Sequence, residues 1–259
     1  SNAKEDRHFV TALARGLDVL RAFKSGEERL SNRELAERCA LPKSTVTRLT
    51  YTLTKLGYLH HVPETGRYRL GLLTLSLSGT TLSHLDVKEA SNALLQELAN
   101  VTGTMVALAI RDDLSMLYLE NCRSEHAVLT LRLGIGSRMP LATSAAGRGY
   151  MAGAPEPARV KLEARMQALD PAAWPAHEAG IRQAQADLAE HGCVTSFGDW
   201  RPDVNAIAVP FKVSESLPLM VVNAAAAAIM ISPQAFMQDV RPQLLDTVQR
   251  ITTRYRAGE

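Results

Sequence analysis

The strongest constraint on the fold lies in residues 31–70, where two helical periods, a two-residue break and two short alternating runs follow in close order. Ser31 to Cys39 reads as a short helix, with Ser31 as its N-cap, Glu34 as the capping-box partner three residues on, and Leu35 and Ala36 facing inward. Ala40-Leu41 forms a tight turn. A longer helix begins near Pro42, a residue suited to a first turn because the N–H it lacks has no helical partner there. Val46, Leu49, Leu53 and Leu56 make its buried stripe, and Gly57 stops it. Tyr58 to Val62 and Arg67 to Leu70 then read as strands joined by the turn Pro63-Glu64-Thr65-Gly66. Upstream, Val10, Leu13, Leu17 and Leu20 recur at helical spacing and predict a packed supporting helix over residues 10–24, ended by Ser25-Gly26. This order is that of a winged helix-turn-helix, whose last helix enters the major groove by its N-terminal end.

The outward face of that helix carries Ser44, Thr45, Thr47, Arg48, Tyr51 and Lys55, next to Lys43, and no carboxylate that would repel phosphate. Hydroxyls, a phenol and cations donate to phosphate oxygens and base edges. Ser44, Thr45, Thr47 and Arg48 are the expected contacts nearest the bases. Arg48 either reads a guanine through O6 and N7 or holds a phosphate. Arg67 and Arg69 on the wing are further candidates. His60-His61 reads as a solvated strand end or a phosphate contact. Adjacent residues on a strand face opposite ways, so the two histidines do not readily share a metal.

Charge agrees with a nucleic-acid module joined to a different one: residues 1–85 hold 13 Lys/Arg against 8 Asp/Glu, and residues 86–259 hold 16 against 19. Gly71 to Leu85 reads as a leucine-rich linker helix, its leucines packing either on a second chain or on their own domain. Asp86, with Glu89 in the box position, can cap a helix whose buried stripe is Val87, Ala90, Leu94, Leu98 and Val101. Strands are expected at 104–110, 114–120, 126–133, 205–211 and 219–223, with a further one beginning at Val194. The turn of the first hairpin is expected at Asp112-Asp113, and Gly134 and Gly136 open a loop. Helices are expected from Thr143 or Ser144 to Gly153, over 157–168, over 178–191 before Gly192, and from Ser232 to Arg256, split near Pro242. Strands flanked by helices in this order predict an α+β domain with one antiparallel sheet. The divisions are Ser1-Asn2-Ala3 as the scar of tag removal, 4–70 as the winged helix-turn-helix, 71–85 as linker helix and 86–259 as the α+β domain.

Other classes are poorly served. No run reaches the 18 or more apolar residues of a membrane span, and no stretch reads as a secretory leader. The three cysteines, Cys39, Cys122 and Cys193, are far apart, so a disulfide framework is not expected and the cytoplasm is the natural setting. No G-x-S-x-G, H-E-x-x-H or P-loop motif is present, and Gly134-x-Gly136 lacks the remainder of a dinucleotide site. No enzyme, cofactor or metal is expected.

Several segments together resemble the IclR family of bacterial transcriptional regulators. They are Arg15-Gly16-Leu17-Asp18-Val19-Leu20, Leu41-Pro42-Lys43-Ser44-Thr45-Val46-Thr47-Arg48-Leu49, Leu56-Gly57-Tyr58-Leu59, Met139-Pro140-Leu141-Ala142-Thr143-Ser144-Ala145-Ala146-Gly147-Arg148 and Val204-Asn205-Ala206-Ile207-Ala208-Val209-Pro210. The resemblance implies a GAF-like α/β domain for effector binding and oligomerisation over 86–259, a homodimer or homotetramer, operator DNA as partner, and a small organic or aromatic acid as effector. Carried onto this sequence, the effector positions are Val128, Leu131, Met139, Ala145, Ala146, Asp199, Ala206, Asn223 and Ala225. The chain departs from the family pattern in having Arg148 where a lysine is usual, and Ala224 to Ala228 in place of a Gly-Pro. Asn223 and Ala225 stand where some members carry serines. The alternative is a C-terminal domain that only oligomerises or docks a partner protein.

Overall fold

The computed structural model describes residues 8–23, 29–82, 86–124, 131, 133–215 and 217–258. The side chains of 78–90, 257 and 258 fall outside that description, as do the Ser1-Asn2-Ala3 segment, Ser25-Gly26, the expected caps Asp86 and Glu89, Leu82 and Leu85 of the leucine run, and Val128 with most of the 126–133 strand. The chain divides into two compact units, residues 1–84 and 85–259.

In the first unit, helices α1 (Thr11–Arg21), α2 (Asn32–Cys39) and α3 (Lys43–Lys55) are followed by strands β2 (Leu59–Val62) and β3 (Arg67–Leu70) and by helix α4 (Leu72–Leu82). The capping box forms as expected: the Ser31 hydroxyl accepts from the Glu34 amide, and the Glu34 carboxylate accepts from the Ser31 amide. Ala40 takes the left-handed conformation that turns α2 into α3. A two-residue strand, β1 (Leu30–Ser31), pairs with β3 and makes the wing a three-stranded sheet with β3 in its centre. Sequence periodicity cannot register so short a strand. Gly71 leaves the wing under the turn after α3: its amide donates to the Tyr58 carbonyl, and a Cβ there would lie 2.1 Å from the Gly57 carbonyl oxygen.

Val19, Leu30, Leu35, Ala36, Val46 and Leu59 form the core of this unit. Two expected stripes are corrected. On α1, Val10, Leu13 and Leu17 are exposed and Gly16 and Val19 are the buried residues. On α3, Leu56 is exposed and Thr50 is fully buried. The last residue of the expected stripe, Leu20, packs against the core, while Val10, Leu13 and Leu17 face away from it. The leucines of α4 are likewise uncovered, with Leu72, Leu75 and Leu77 84%, 69% and 58% exposed.

The second unit is one antiparallel sheet between two helical layers. Its strands are β4 (Met105–Asp112), β5 (Ser115–Arg123), β6 (Arg138–Pro140), β7 (Val194–Phe197), β8 (Val204–Phe211) and β9 (Met220–Ala227), in spatial order β6-β5-β4-β9-β8-β7. Helices α5 (Asp86–Thr102) and α10 (Arg241–Gly258) cover one face. Helices α6 (Ala145–Gly153), α7 (Glu156–Leu169) and α8 (Trp174–His191) cover the other. The alternation along β8 and the middle of β4 sorts side chains by size, whereas β9 also turns Ala224 and Ala226 to the α5/α10 face and Val221 to the α6 face. Val106, Leu108, Ile207, Val209, Phe211, Met220 and Val222 point to the α5/α10 face, while Ala107, Ala109, Ala206, Ala208 and Ala225 point to the α6 face.

The β4–β5 register shifts between Leu108, paired with Glu120, and Ala109, paired with Tyr118. The extra residue, Leu119, is a bulge that reverses which residues of β5 face each layer. Met116 and Tyr118 thereby join the α6 side and Cys122 the α5/α10 side. On α5, Leu94, Leu95, Leu98 and Ala99 are buried, and Val101, expected in the stripe, is 64% exposed. Asp113 with φ 55° makes the turn after β4. Before α10, the short helix α9 (Pro233–Ala235), capped by Ser232, runs into a π-helical turn, Phe236–Val240, that ends just ahead of Pro242. The wider turn accommodates a residue with no N–H to donate.

Candidate nucleic-acid interface and candidate ligand cavity

The structure sets Lys43, Ser44, Thr47, Arg48, Tyr51 and Lys55 on the exposed side of α3, with Thr45 half-buried. Thr47 is not a free hydroxyl. It donates to the Lys43 carbonyl at 2.9 Å and accepts from the Asn32 amide of α2 at 2.8 Å. Asn32 thus ties the two helices at the point where α3 begins, whereas the side chains of Lys43, Ser44, Thr45 and Arg48 make no such bond among the described residues. On the wing, Arg67 is turned back on its own unit: it donates to the Arg29 carbonyl at 3.3 Å and pairs with Glu34 at 3.4 Å. The Ser31 hydrogen bonds, and less strongly Arg67, hold the Glu34 carboxyl below its ordinary range. Arg69 is exposed and stands opposite His60.

A groove of about 490 Å³ lies between α3 and the wing, lined by Thr47, Tyr51, Thr54, Lys55, His61 and Tyr68. The Lys55 ammonium sits 5.6 Å from the centre of the Tyr51 ring, and the His61 and Tyr68 rings are 5.0 Å apart. His61 therefore belongs to the groove, and its neighbour His60 lies across the strand from it. Sequence reasoning treated the pair alike; the register separates them.

The second site lies where the small-residue face of the sheet meets the start of α6. Ser144 is the N-cap of α6: its hydroxyl accepts from the Gly147 amide at 3.0 Å and donates to the Pro140 carbonyl at 2.7 Å. A Cβ at Gly147 would meet that carbonyl oxygen at 2.3 Å, so glycine lets the helix start close on β6. With the third amide capped, the Ala145 and Ala146 amides remain without a partner inside the helix, and both residues are buried. A cavity beside them is lined by Tyr118, Leu131, Leu133, Met139, Ser144, Ala145, Ala146, Ser196, Trp200, Val204, Ala206, Asn223 and Ala225. Its free space is about 10 Å³, room for roughly one water.

Of the expected positions, Leu131, Met139, Ala145, Ala146, Ala206, Asn223 and Ala225 line this cavity, Val128 lies outside the described residues, and Asp199 lies outside the lining. Asp199 pairs instead with Arg148 at 2.9 Å. Arg148 is buried on α6, donates to the Ala142 carbonyl at 3.1 Å, and packs so closely on α8 that a Cβ at Gly180 would lie 2.3 Å from its guanidinium. The pair holds the loop after β7, in which the next residue, Trp200, closes the cavity. Trp200, Tyr118, Ser196 and Val204 were missed from sequence because β5, β7 and β8 are brought together only by the sheet.

The polar groups of the cavity are unequally satisfied. Ser196 donates to the Thr143 carbonyl at 2.8 Å. Tyr118, fully buried, has its phenol pKa pushed well up by burial, offset in part by a hydrogen bond with Asn223. Asn223 Oδ1 is buried and has no hydrogen-bond partner among the described residues. Among the described residues there is no cluster of His, Cys, Asp and Glu able to hold a metal ion, and no helix is long and apolar enough to cross a membrane.

Against known proteins, the family model of the IclR helix-turn-helix domain matches residues 12–63, and that of the bacterial transcriptional regulator IclR C-terminal domain matches residues 79–253. The HTH-type transcriptional regulator TsaQ1/TsaQ2 of Comamonas testosteroni is 30% identical over 251 residues, 96% of this chain and 90% of that protein. The crystal structure of an IclR family transcriptional regulator from Brucella abortus superposes with a TM-score of 0.82 at 38% identity, covering 98% of this chain and 95% of that one. An IclR homologue of Microbacterium hydrocarbonoxydans, solved in complex with 4-hydroxybenzoate, shares the fold at a TM-score of 0.74 and 23% identity, covering 95% of this chain and 100% of that one.

Proposed function

The chain belongs to the IclR family of bacterial transcriptional regulators, and from that premise we propose that it binds operator DNA as a homodimer or homotetramer under the control of a small organic or aromatic acid. The observation that supports acid control is the start of α6. Two buried amides without helical partners, at the positive end of a helix, face a cavity with no carboxylate in its lining. Such a place suits a carboxylate. The 4-hydroxybenzoate in complex with the Microbacterium homologue is an acid of that chemistry. Free space for about one water also means that an acid enters only as Leu131, Leu133 and Trp200 give way. The same small space favours the other reading, a domain that only oligomerises, and the buried unpaired groups weigh against it.

DNA is read by α3 from its N-terminal end, with Ser44 and Arg48 nearest the bases, Thr47 fixed by Asn32, and Tyr51, Lys55, His61 and Arg69 toward the backbone. A second reading head is supplied by self-association. The uncovered apolar residues Val10, Leu13 and Leu17 on α1, and Leu72, Leu75 and Leu77 on α4, support this. Free cysteines fit action in the cytoplasm.

A thermal-shift screen of the full chain against small organic and aromatic acids tests the sensing part. An acid at 100 times its dissociation constant stabilises the fold by about 2.7 kcal/mol; no shift across the panel moves the reading to oligomerisation. Arg48→Ala tests the DNA part. A loss of about 1–3 kcal/mol in specific binding is expected if Arg48 reads a base, and wild-type affinity removes it from the interface.

A further inference from the structure

Helix α3 carries a side chain on its outer face whose polar group is already used up. Lys43, Thr47, Tyr51 and Lys55 form a row at four-residue spacing along the helix, and the last three line the groove between α3 and the wing. Thr47 is exposed on that row. A threonine has two groups to offer there, a hydroxyl and a methyl. The hydroxyl donates to the Lys43 carbonyl at 2.9 Å and accepts from Asn32 Nδ2 at 2.8 Å. It has no hydrogen left for a phosphate oxygen or for an acceptor on a base. Thr52 makes the same backward bond, to the Arg48 carbonyl at 3.0 Å, so that bond is ordinary for a helical threonine. What is particular to Thr47 is the amide brought in from α2. Asn32 Nδ2 also approaches the Lys43 carbonyl, at 3.4 Å, and closes a three-cornered cluster. Asn32 Oδ1 is left buried without a partner among the described residues, so the amide holds this position at some cost in stability.

Threonine is branched at Cβ, and a fixed Oγ1 fixes Cγ2 with it. The group that Thr47 has left to present is therefore a methyl held in one orientation. Against phosphate or water such a group gains nothing. In the major groove the apolar group on a base edge is the C5-methyl of thymine. We propose that Thr47 reads that methyl, and that Asn32 is the positioning residue that aims it. The inference rests on the reading in which α3 enters the major groove, and it divides the work of that helix. Ser44 and Arg48 read by donating hydrogen bonds, and Thr47 reads by apolar contact, which fixes one thymine in each half-site.

The test is carried out on the duplex that the full chain selects from random sequences, at one fixed salt concentration. Each thymine of one half-site is replaced in turn by deoxyuridine, which removes the C5-methyl and nothing else. At one position the replacement should weaken binding about 4-fold, the effect of withdrawing one buried methyl-sized group. Thr47→Ser keeps the hydroxyl and removes the methyl, and should bind the thymine and deoxyuridine duplexes within about 1.5-fold of each other. Thr47→Val keeps the methyl and removes the hydroxyl, and should still prefer thymine at that position. A residue that reads through its hydroxyl would give the opposite split, with serine at the wild-type affinity and valine impaired. Asn32→Ala should lower the thymine preference to about 2-fold or less, a ratio that a general loss of stability would not move, since it would weaken both duplexes alike. The methyl reader is overturned if no replacement by deoxyuridine changes wild-type binding, or if the preference persists in Thr47→Ser; either result leaves DNA recognition by α3 standing. A chain that selects no sequence overturns both.

Discussion

The two faces of the six-stranded sheet are made by the same strands and differ in what their alternate residues leave behind. Toward α5 and α10 the strands project Val, Leu, Ile, Phe and Met, with Cys122, Ala224 and Ala226. Toward α6 the alanines 107, 109, 206, 208 and 225 stand beside Met105, Met116, Met139 and Val221, with Tyr118 and Asn223 among them, and the helix there begins with small residues of its own. Small against small lets α6 sit close at its glycines and leaves a residual gap at its first turn. One face is the stabilising half of the domain. The other gives up apolar burial to hold unpaired polar groups in a dry place, a costly arrangement unless something binds there.

Three substitutions or measurements probe that difference, the largest first. Leu108→Ala, on the filled face and fully buried, should cost about 2–5 kcal/mol in denaturant-monitored stability, with no change in the affinity for an acid. A smaller cost coupled to weaker acid binding would show that the faces are not independent. Ala225→Leu, on the small face, should fill the cavity. The approximately 2.7 kcal/mol of stabilisation by a saturating acid should then vanish, while DNA affinity without effector stays at the wild-type value. Retained acid binding would place the site elsewhere. The smallest effect concerns thiols. Burial pushes Cys122 and Cys193, both in the filled-face core, up to about 11. At pH 8 both are almost wholly protonated. A thiol reagent should therefore label Cys39, half-buried in the other unit, before either of them, and all three in denaturant. Fast labelling of Cys193 would mean the filled face opens.

The parts of this architecture that are local were legible in the sequence. The Ser31–Glu34 box, the Ser144 cap of α6, Gly192 closing α8 and the hairpin of the wing each depend on residues within a few positions of one another. What required long-range packing was not. The α1 stripe of Val10, Leu13 and Leu17 has the period of a buried face, yet period alone does not say whether the cover comes from the same chain or another. The Leu119 bulge reverses the facing of β5, so alternation counted from Leu114 cannot place Cys122. Thr47 has the chemistry of a base contact, but Asn32, 15 residues away, occupies its hydroxyl. In the cavity, the family resemblance pointed to Ala145, Ala146 and Asn223. It could not supply Tyr118 or Trp200, and Asp199, which it also named, pairs with Arg148 outside the cavity lining.

Coupling between the two units is the centre of the account, and DNA affinity measured with and without effector tests it most directly. The operator is recovered with the full chain by selection from random duplexes, and its dissociation constant is measured at one fixed salt concentration, since affinity for DNA depends steeply on ionic strength. A saturating acid found by the thermal-shift screen should change that constant about 5- to 150-fold, the range of an ordinary allosteric coupling, and the change should disappear in Ala225→Leu. An unchanged constant, with the acid demonstrably bound, would contradict control of DNA binding through this cavity.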